Sequence, residues 1–407
     1  ASSRLTRPCA GAPAPAFPEN AMPTMRLVPA CTSDYRLLAE QCLPRTLFDY
    51  IDGGAYSEVT LAANVADFEK IALKQRVLRD VSQIDTHISL FGDNMAMPVA
   101  LAPIGMAGMM ARRAETQAVR AAEAAGVPFT LSTVGICSIE EVAKAATKPF
   151  WFQLYMMKDR GCVREILDRA KAAGCKTLLF TVDLPVAGAR YRDVRNGMGG
   201  NVNALGKLRA GLDYAMHAQW AYDVGVKGKP LVFGTISPYM KDGNTPADFK
   251  RWVDSQFDAS VTWKDIEWLR EYWQGDLIIK GVLSPEDALA AANAGADAIV
   301  VSNHGGRQLD GVSSSIEMTP RIVDAIDDRL VVLMDGGVRS GLDVIRAIAS
   351  GARAVLIGRP WIWAMGARGG QGVRALLSTF KSEMNVAMAL TGVSSIGGIS
   401  ADLLDRS

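Results

Sequence analysis

The residues best suited to chemistry gather in one run, Ser302-Asn303-His304-Gly305-Gly306-Arg307-Gln308-Leu309-Asp310, directly after the apolar, β-branched segment Ala298 to Val301. A short apolar run bounded by turn residues predicts a buried strand, so His304 leaves that strand at its C-terminal end. Buried parallel sheets carry their chemistry there. Two glycines let the backbone approach a flat ligand, and Arg307, three residues past the histidine, offers a bidentate grip on a carboxylate. A base beside an anion clamp suits proton removal from an acid substrate. The sequence has only three histidines. His87 lies in a polar, turn-rich stretch and His217 in a basic amphipathic one, which leaves His304 as the candidate base. A capping or core imidazole would account for neither the glycine pair nor the arginine.

The elements that must position these groups alternate from Met97-Pro98 onwards. Strands are predicted over 99–104, 129–133, 150–155, 177–183, 277–282, 298–304, 330–335 and 354–358. Helical patterns follow them over 112–125, 139–146, 161–173, 264–272, 285–293, 320–326, 342–349 and 373–388. Eight βα units with right-handed crossovers close on themselves, so the expected fold is α/β, a (β/α)8 TIM barrel. A helical pattern over 33–64 precedes it as an N-terminal extension, with Tyr50 just before the Gly53-Gly54 break. Residues 1–30, rich in Ala and Pro and without the apolar stretch of a secretory signal, read as a disordered extension, and 31–400 as the barrel domain. Pro8, Pro13, Pro15 and Pro18 argue against an amphipathic transit peptide.

Barrel geometry brings the strand ends to one mouth. They carry Ile104 and Gly105; Ser132 and Thr133; Gln153 and Tyr155; Thr181 and Asp183, with Arg190 shortly after; Lys280; Ser302 with His304 and Arg307; Asp335, Gly336, Gly337 and Arg339; Gly358 and Arg359. Lys280 closes a buried strand, where a bare charge is costly unless it meets an anion or a cofactor. Loops after the last two strands of such barrels often bind phosphate, and here they hold glycines and two arginines. A phosphate-bearing cofactor is implied. Taken singly, Ser132 and Thr133 could cap a helix, Asp335 could begin a turn, and Lys280 could pair with a structural carboxylate.

With 407 residues, 49% of them hydrophobic, the chain can bury a barrel-sized core. A formal net charge of +1 argues against a nucleic-acid partner. The six cysteines have neither CxxC nor zinc-finger spacing, so no metal is expected and a reduced, cytoplasmic setting fits. The sequence holds no apolar run of membrane-spanning length and no nicotinamide-binding Gly-x-Gly-x-x-Gly after a first strand.

The unbroken Ser302 to Gln308 motif, with Phe48-Asp49-Tyr50, Gln153-Leu154-Tyr155, Thr181-Val182-Asp183, Lys280-Gly281, Asp335 to Arg339 and Gly358-Arg359 in order, resembles the FMN-dependent α-hydroxy acid oxidase and dehydrogenase family from about Tyr35 to Gly392. The resemblance implies His304 as base with Asp183 its carboxylate partner, Arg307 and Arg190 on the substrate carboxylate, and Tyr50 and Tyr155 on its carboxylate and hydroxyl side. It implies Lys280 at the flavin N1 and O2 edge, with further FMN contacts from Ile104, Gly105, Ser132, Gln153, Thr181 and Ser302. Asp335 and Gly336 belong to the same cofactor-binding set, and the phosphate falls to Gly337, Arg339, Gly358 and Arg359. The implied reaction oxidises a small 2-hydroxy acid to a 2-oxo acid, two electrons passing to FMN. Family members are commonly homotetramers.

About 70 residues separate Arg190 from the fourth helix, far beyond a usual βα loop, so 191–262 reads as an insert. Its stretch from Leu205 to Lys229 mixes bulky apolar and basic residues, which suits a helix in a membrane interface and equally a lid on the barrel mouth. This insert, residues 52–58 and 185–193, and Gly105 where many oxidases carry Ala most resemble the bacterial quinone-linked L-lactate dehydrogenases. That subgroup implies L-lactate as substrate, a quinone as acceptor, and attachment to the inner face of the cell membrane. Val134 and Ala187, expected beside the substrate tail, admit lactate without excluding mandelate. The rival readings are an oxidase of lactate, glycolate or mandelate that makes hydrogen peroxide, and more remotely an FMN-dependent isomerase.

Overall fold

The computed structural model describes residues 28–198, 203–240 and 255–405. All eight expected strands form: β1 (Val99–Leu101), β2 (Thr130–Ser132), β3 (Trp151–Leu154), β4 (Thr177–Thr181), β5 (Asp276–Val282), β6 (Ala298–Val301), β7 (Val331–Asp335) and β8 (Ala354–Ile357). Their order around the sheet is β1-β8-β7-β6-β5-β4-β3-β2, and a parallel bridge between Leu101 and Phe129 closes the ring. These strands are buried on both faces, which is why they read as unbroken apolar runs rather than alternations. The β4 and β6 ladders stop at Thr181 and Val301, so Asp183 and His304 stand just past the strands, on the loops of the mouth.

Three helices precede the barrel, α1 (Thr32–Cys42), α2 (Arg45–Asp52) and α3 (Val59–Glu69), with α1 lying along the last helix of the chain. The crossover helices are α4 (Ala114–Ala125), α5 (Ile139–Ala145), α6 (Arg160–Ala172), then, after an insert helix α7 (Ala204–Met216), α8 (Trp263–Tyr272), α9 (Pro285–Asn293), α10 (Ser315–Ile326), α11 (Gly341–Ala349) and α12 (Arg359–Thr391). Two starts differ from expectation. Helix α10 begins before Pro320 rather than at it: Ser314 Oγ caps the first turn by accepting from Glu317 N at 3.3 Å, and Ile316, Ile322 and Ile326 bury one face across the proline. Helix α12 begins at Arg359 and passes the non-helical pair Arg368-Gly369, which had hidden its first half. The expected extension at residues 1–30 falls almost wholly outside the described residues.

The insert spans the first two units. Trp220 Nε1 donates to Met109 O at 2.8 Å, Arg113 Nη1 to Pro230 O at 3.0 Å, and Gly234 N to Gly135 O at 3.1 Å. Its inner face is packed through Val224 and Ile236, while Leu205, Leu208, Leu212 and Met216 on α7 stay exposed.

Asp310, the last residue of the histidine run, caps α3 from the far side of the sequence. Its carboxylate accepts from Ser57 N at 3.1 Å, Val59 N at 3.3 Å and Thr60 N at 2.7 Å. Asp310→Ala is expected to cost about 1–2 kcal/mol and to lower the thermal unfolding midpoint, with Asp310→Asn restoring most of the loss. An unchanged midpoint in the alanine variant would mean that the cap is dispensable.

Candidate active site

At the floor of the mouth, Lys280 lies two residues before the end of β5, almost fully buried. Its Nζ lies 2.8 Å from Asp335 Oδ2 at the end of β7 and donates to Ser302 Oγ at 3.0 Å. Burial opposes its charge, but Asp335, and behind it Asp183, hold it above the ordinary lysine value. The expected strand-end lysine is therefore a paired, charged group aimed into the barrel, and Asp335 is its partner rather than a free turn residue.

Above it stands His304, at a backbone φ of 56° that non-glycine residues rarely adopt. Ser302 Oγ accepts from His304 N at 3.0 Å and helps fix that turn. The ring Nδ1 lies 2.7 Å from Asp183 Oδ1. Burial tends to raise the Asp183 pKa, yet His304 and Lys280 hold it below the ordinary carboxylate value, so Asp183 is ionised. An ionised partner makes Nδ1 the donor and leaves Nε2 with its lone pair. Burial, reinforced by Lys280 and Arg190, outweighs Asp183 and lowers the His304 pKa, which favours the neutral imidazole. Gly281 makes room for this pair: at φ 106°, a Cβ there would lie 2.7 Å from Asp183 Oδ2.

Arginines line the rest of the cup. Arg307 Nη1 donates to Tyr50 O at 2.6 Å and Gly53 O at 2.8 Å, and its guanidinium sits 5.0 Å from the Tyr50 ring centroid. Arg359 donates to Asp52 O at 3.1 Å, Gly305 O at 2.8 Å and Gly53 O at 2.8 Å. Arg190 Nε donates to Arg307 O at 3.3 Å. Arg339, on the loop after β7, donates to Val338 O at 2.9 Å. Among the described residues neither Arg307, Arg339 nor Arg359 forms an ion pair with a carboxylate. Burial pushes Arg307 and Arg359 down to about 9 and Arg339 to about 10, the behaviour of cations short of an anion. The Tyr155 hydroxyl shares the field of Asp183, Tyr50, Arg190 and Arg307, and burial raises its pKa, so it stays a donor. Tyr50 Oη donates to Gly105 O at 3.4 Å.

Along the barrel interior, Ser132 Oγ donates to Gln153 Oε1 at 3.0 Å and Thr133 Oγ1 to Gln153 O at 2.6 Å, and Ser138 caps the next helix, so neither Ser132 nor Thr133 is a cap. Gln153 Nε2 and Thr181 Oγ1 are buried without a partner. Gly336 and Gly337 take φ of 89° and 88°, and a Cβ on Gly337 would lie 1.9 Å from Asn64 O. Only glycine fits that close approach.

Two supports were not legible beforehand. Asn64, on α3, and Asn303 form a buried reciprocal amide pair, 2.8 Å in both directions, and Asn303 Oδ1 also accepts from Gly306 N at 3.0 Å. The only sequence signal was a poor helix former inside an apolar helix. Gln308 Nε2 donates to Asp183 O at 2.8 Å and Val186 O at 3.0 Å, joining the loops after β4 and β6.

A family profile described as FMN-dependent dehydrogenase matches residues 39–406. An L-lactate dehydrogenase of Caulobacter sp. (strain K31) is 54% identical over 93% of this chain and 99% of its own length. One from Xanthomonas axonopodis pv. citri is 55% identical over 93% of this chain and 97% of its own. Among solved structures, the monotopic membrane protein (S)-mandelate dehydrogenase superposes with a TM-score of 0.87 at 33% identity, covering 93% of this chain and 99% of that one. A mandelate oxidase gives 0.78 at 36% identity, over 93% and 98%. The mouth fits the flavin nucleotide: Gln153 Nε2 and Thr181 Oγ1 are orphaned donors suited to the polar edge of its ring, and the glycine loop, Arg339, Arg359 and the first turn of α12 suit its phosphate. The chain belongs to the FMN-dependent dehydrogenase family, and FMN is its cofactor.

Proposed function

We propose that the protein oxidises L-lactate to pyruvate and delivers the electrons to a quinone at the inner face of the cell membrane. The observation that carries the reading is the neutral His304, oriented by Asp183, beside an arginine cluster that lacks a carboxylate partner. The identity of more than half of all residues with L-lactate dehydrogenases over nearly their full length supports lactate as substrate. In this reading Arg307 and Arg190 hold the substrate carboxylate, and Tyr50 and Tyr155 donate to its carboxylate and hydroxyl side. His304 Nε2 then accepts a proton from the bound acid, and Asp183 stabilises the imidazolium that results. FMN supplies the two-electron acceptor. Lys280, kept charged by Asp335, offers positive charge at its N1 and O2 edge. Ile104, Gly105, Ser132, Gln153, Thr181 and Ser302 would hold its ring, Gly337, Arg339, Gly358 and Arg359 its phosphate, and Asp335 and Gly336 would complete the cofactor-binding set.

Membrane attachment rests on α7. Leu205, Leu208, Leu212 and Met216 recur at spacings of three and four, so they form one stripe, and all are more than half exposed. Lys207 and Arg209 flank them, as in interfacial helices. No helix among the described residues is long and apolar enough to cross a membrane, so we infer peripheral contact. The solved (S)-mandelate dehydrogenase that this chain resembles is a monotopic membrane protein. A homotetramer is the assembly we propose, to be checked by light scattering.

Anaerobic mixing with L-lactate is expected to bleach the flavin band, with reoxidation mainly by a soluble quinone; prompt reoxidation by oxygen would move the protein to the oxidases. His304→Gln should retain FMN and slow bleaching by about 10²–10⁴-fold. Because the His304 pKa lies below its ordinary value of 6.5 and the base works deprotonated, the wild-type rate should stay flat through neutral pH and fall only on the acid side of 6.5. A fall centred above 6.5 would remove His304 from that role.

Arg307→Met is expected to lower kcat/KM on the order of 100-fold through loss of a charge-assisted grip worth about 3 kcal/mol. Unchanged kinetics would exclude the clamp. The double change Leu208→Asp and Leu212→Asp removes two anchors of roughly 1.5–3 kcal/mol each, so flotation with anionic vesicles should fall at least 100-fold while lactate bleaching persists. Undiminished flotation would sink the attachment.

A further inference from the structure

Outside the arginine cup lies a second compartment of about 470 Å³, between the ends of β3, β4 and β5 and the returning end of the insert, Phe257 to Thr262. Met156, Phe180, Val261, Trp263, Ile266 and Val282 make it apolar. Tyr155 and Thr181 line it as well, so the two compartments share a wall. The Tyr155 ring packs on Phe257 at 4.9 Å, and Phe257 is itself bridged to Met157, which fixes the partition. The carboxylates at the rim are already engaged, Asp258 by Arg160 at 2.8 Å and Asp287 by Ser284 Oγ at 3.0 Å.

A cavity of this size and lining suits a neutral, largely apolar ring rather than an anion. The hydroxy acid, which carries a carboxylate, is drawn to the arginines instead. We propose that this cavity seats the ring of the quinone acceptor, one wall away from the redox centre. The proposal rests on the reading that the enzyme reduces a quinone. The quinone takes up two electrons and two protons, the equivalents removed from the C–H and O–H bonds of the substrate, and leaves as the quinol. Acid and acceptor then occupy separate seats.

The test uses the FMN-loaded full chain with a short-chain ubiquinone analogue. Val261→Trp narrows the cavity, and Ala259→Trp does so from an exposed position where folding is safe. Both variants should raise the quinone KM at least tenfold and weaken binding of the oxidised analogue in equilibrium dialysis without lactate, while anaerobic bleaching by L-lactate stays within twofold of wild type. Normal dialysis and normal reoxidation in both variants would overturn the assignment. Bleaching slowed as much as reoxidation would also overturn it, making the cavity part of the acid site. Wild-type enzyme that lactate bleaches but quinone fails to reoxidise would refute the acceptor reading itself, a result visible before any variant is made.

Discussion

The mouth of the barrel is governed by positive charge that the protein does not neutralise with carboxylates. Among the hydrogen bonds described, the guanidinium groups of Arg307, Arg339 and Arg359 donate only to main-chain carbonyls, with the Tyr50 ring beside Arg307 and the Trp363 ring beside Arg339, in surroundings that drain their basicity. A carbonyl orients a guanidinium but carries only a partial charge, so the cluster remains an anion receptor. Lys280 is the exception, and its pairing with Asp335 marks a group that must stay charged whether or not a ligand is present. Burial, reinforced by Lys280 and Arg190, lowers the His304 pKa, while His304 and Lys280 lower that of Asp183 against burial; the imidazole is kept unprotonated and its partner ionised, the state a base requires.

Carbonyls at the end of α2 aim Arg307 and Arg359, which makes the N-terminal helices part of the site. That end is braced by a second charged layer. Asp52 accepts from Arg36 Nε at 2.7 Å and Arg192 Nη1 at 2.9 Å, and Asp49 accepts from Arg45 Nε at 2.8 Å. Arg192 comes from the start of the insert, where Asn196 Nδ2 also donates to Asp49 at 2.6 Å, and Asp213 of the insert accepts from Arg45 N at 2.7 Å, so the insert is tied to α2 at several points. The insert also touches the loop after β1 through Trp220, next to Ile104 and Gly105. Its packed residues suit a lid, and the exposed apolar stripe of α7 suits an interfacial helix.

Periodicity made the barrel legible because each strand is buried on both sides and reads as a compact apolar run. The cup was legible because its members stand at strand ends, where barrel geometry forces convergence. Long-range polar staples left no such mark. Asn64 and Asn303 are separated by 239 positions, and nothing in either local stretch specifies the other. Pro320 misled as a helix start because proline usually begins a helix, whereas here buried isoleucines on both sides carry the helix through it. The first half of α12 was masked by its glycines, which break the apolar rhythm at a real kink.

The cap that Asp310 places on α3 spans 250 positions, and the bond from Arg359 to Asp52 O spans 307. On the ribosome these partners emerge far apart in time. The N-terminal helices must wait, with the N–H groups at the start of α3, the Asn64 amide and the carbonyls at the end of α2 unmatched, until β6 and then β8 have been made. Completion of the mouth is consequently a late event in the life of the chain: a nascent chain lacking β8 has neither Gly358 and Arg359 nor the clasp that Arg359 sets on the end of α2.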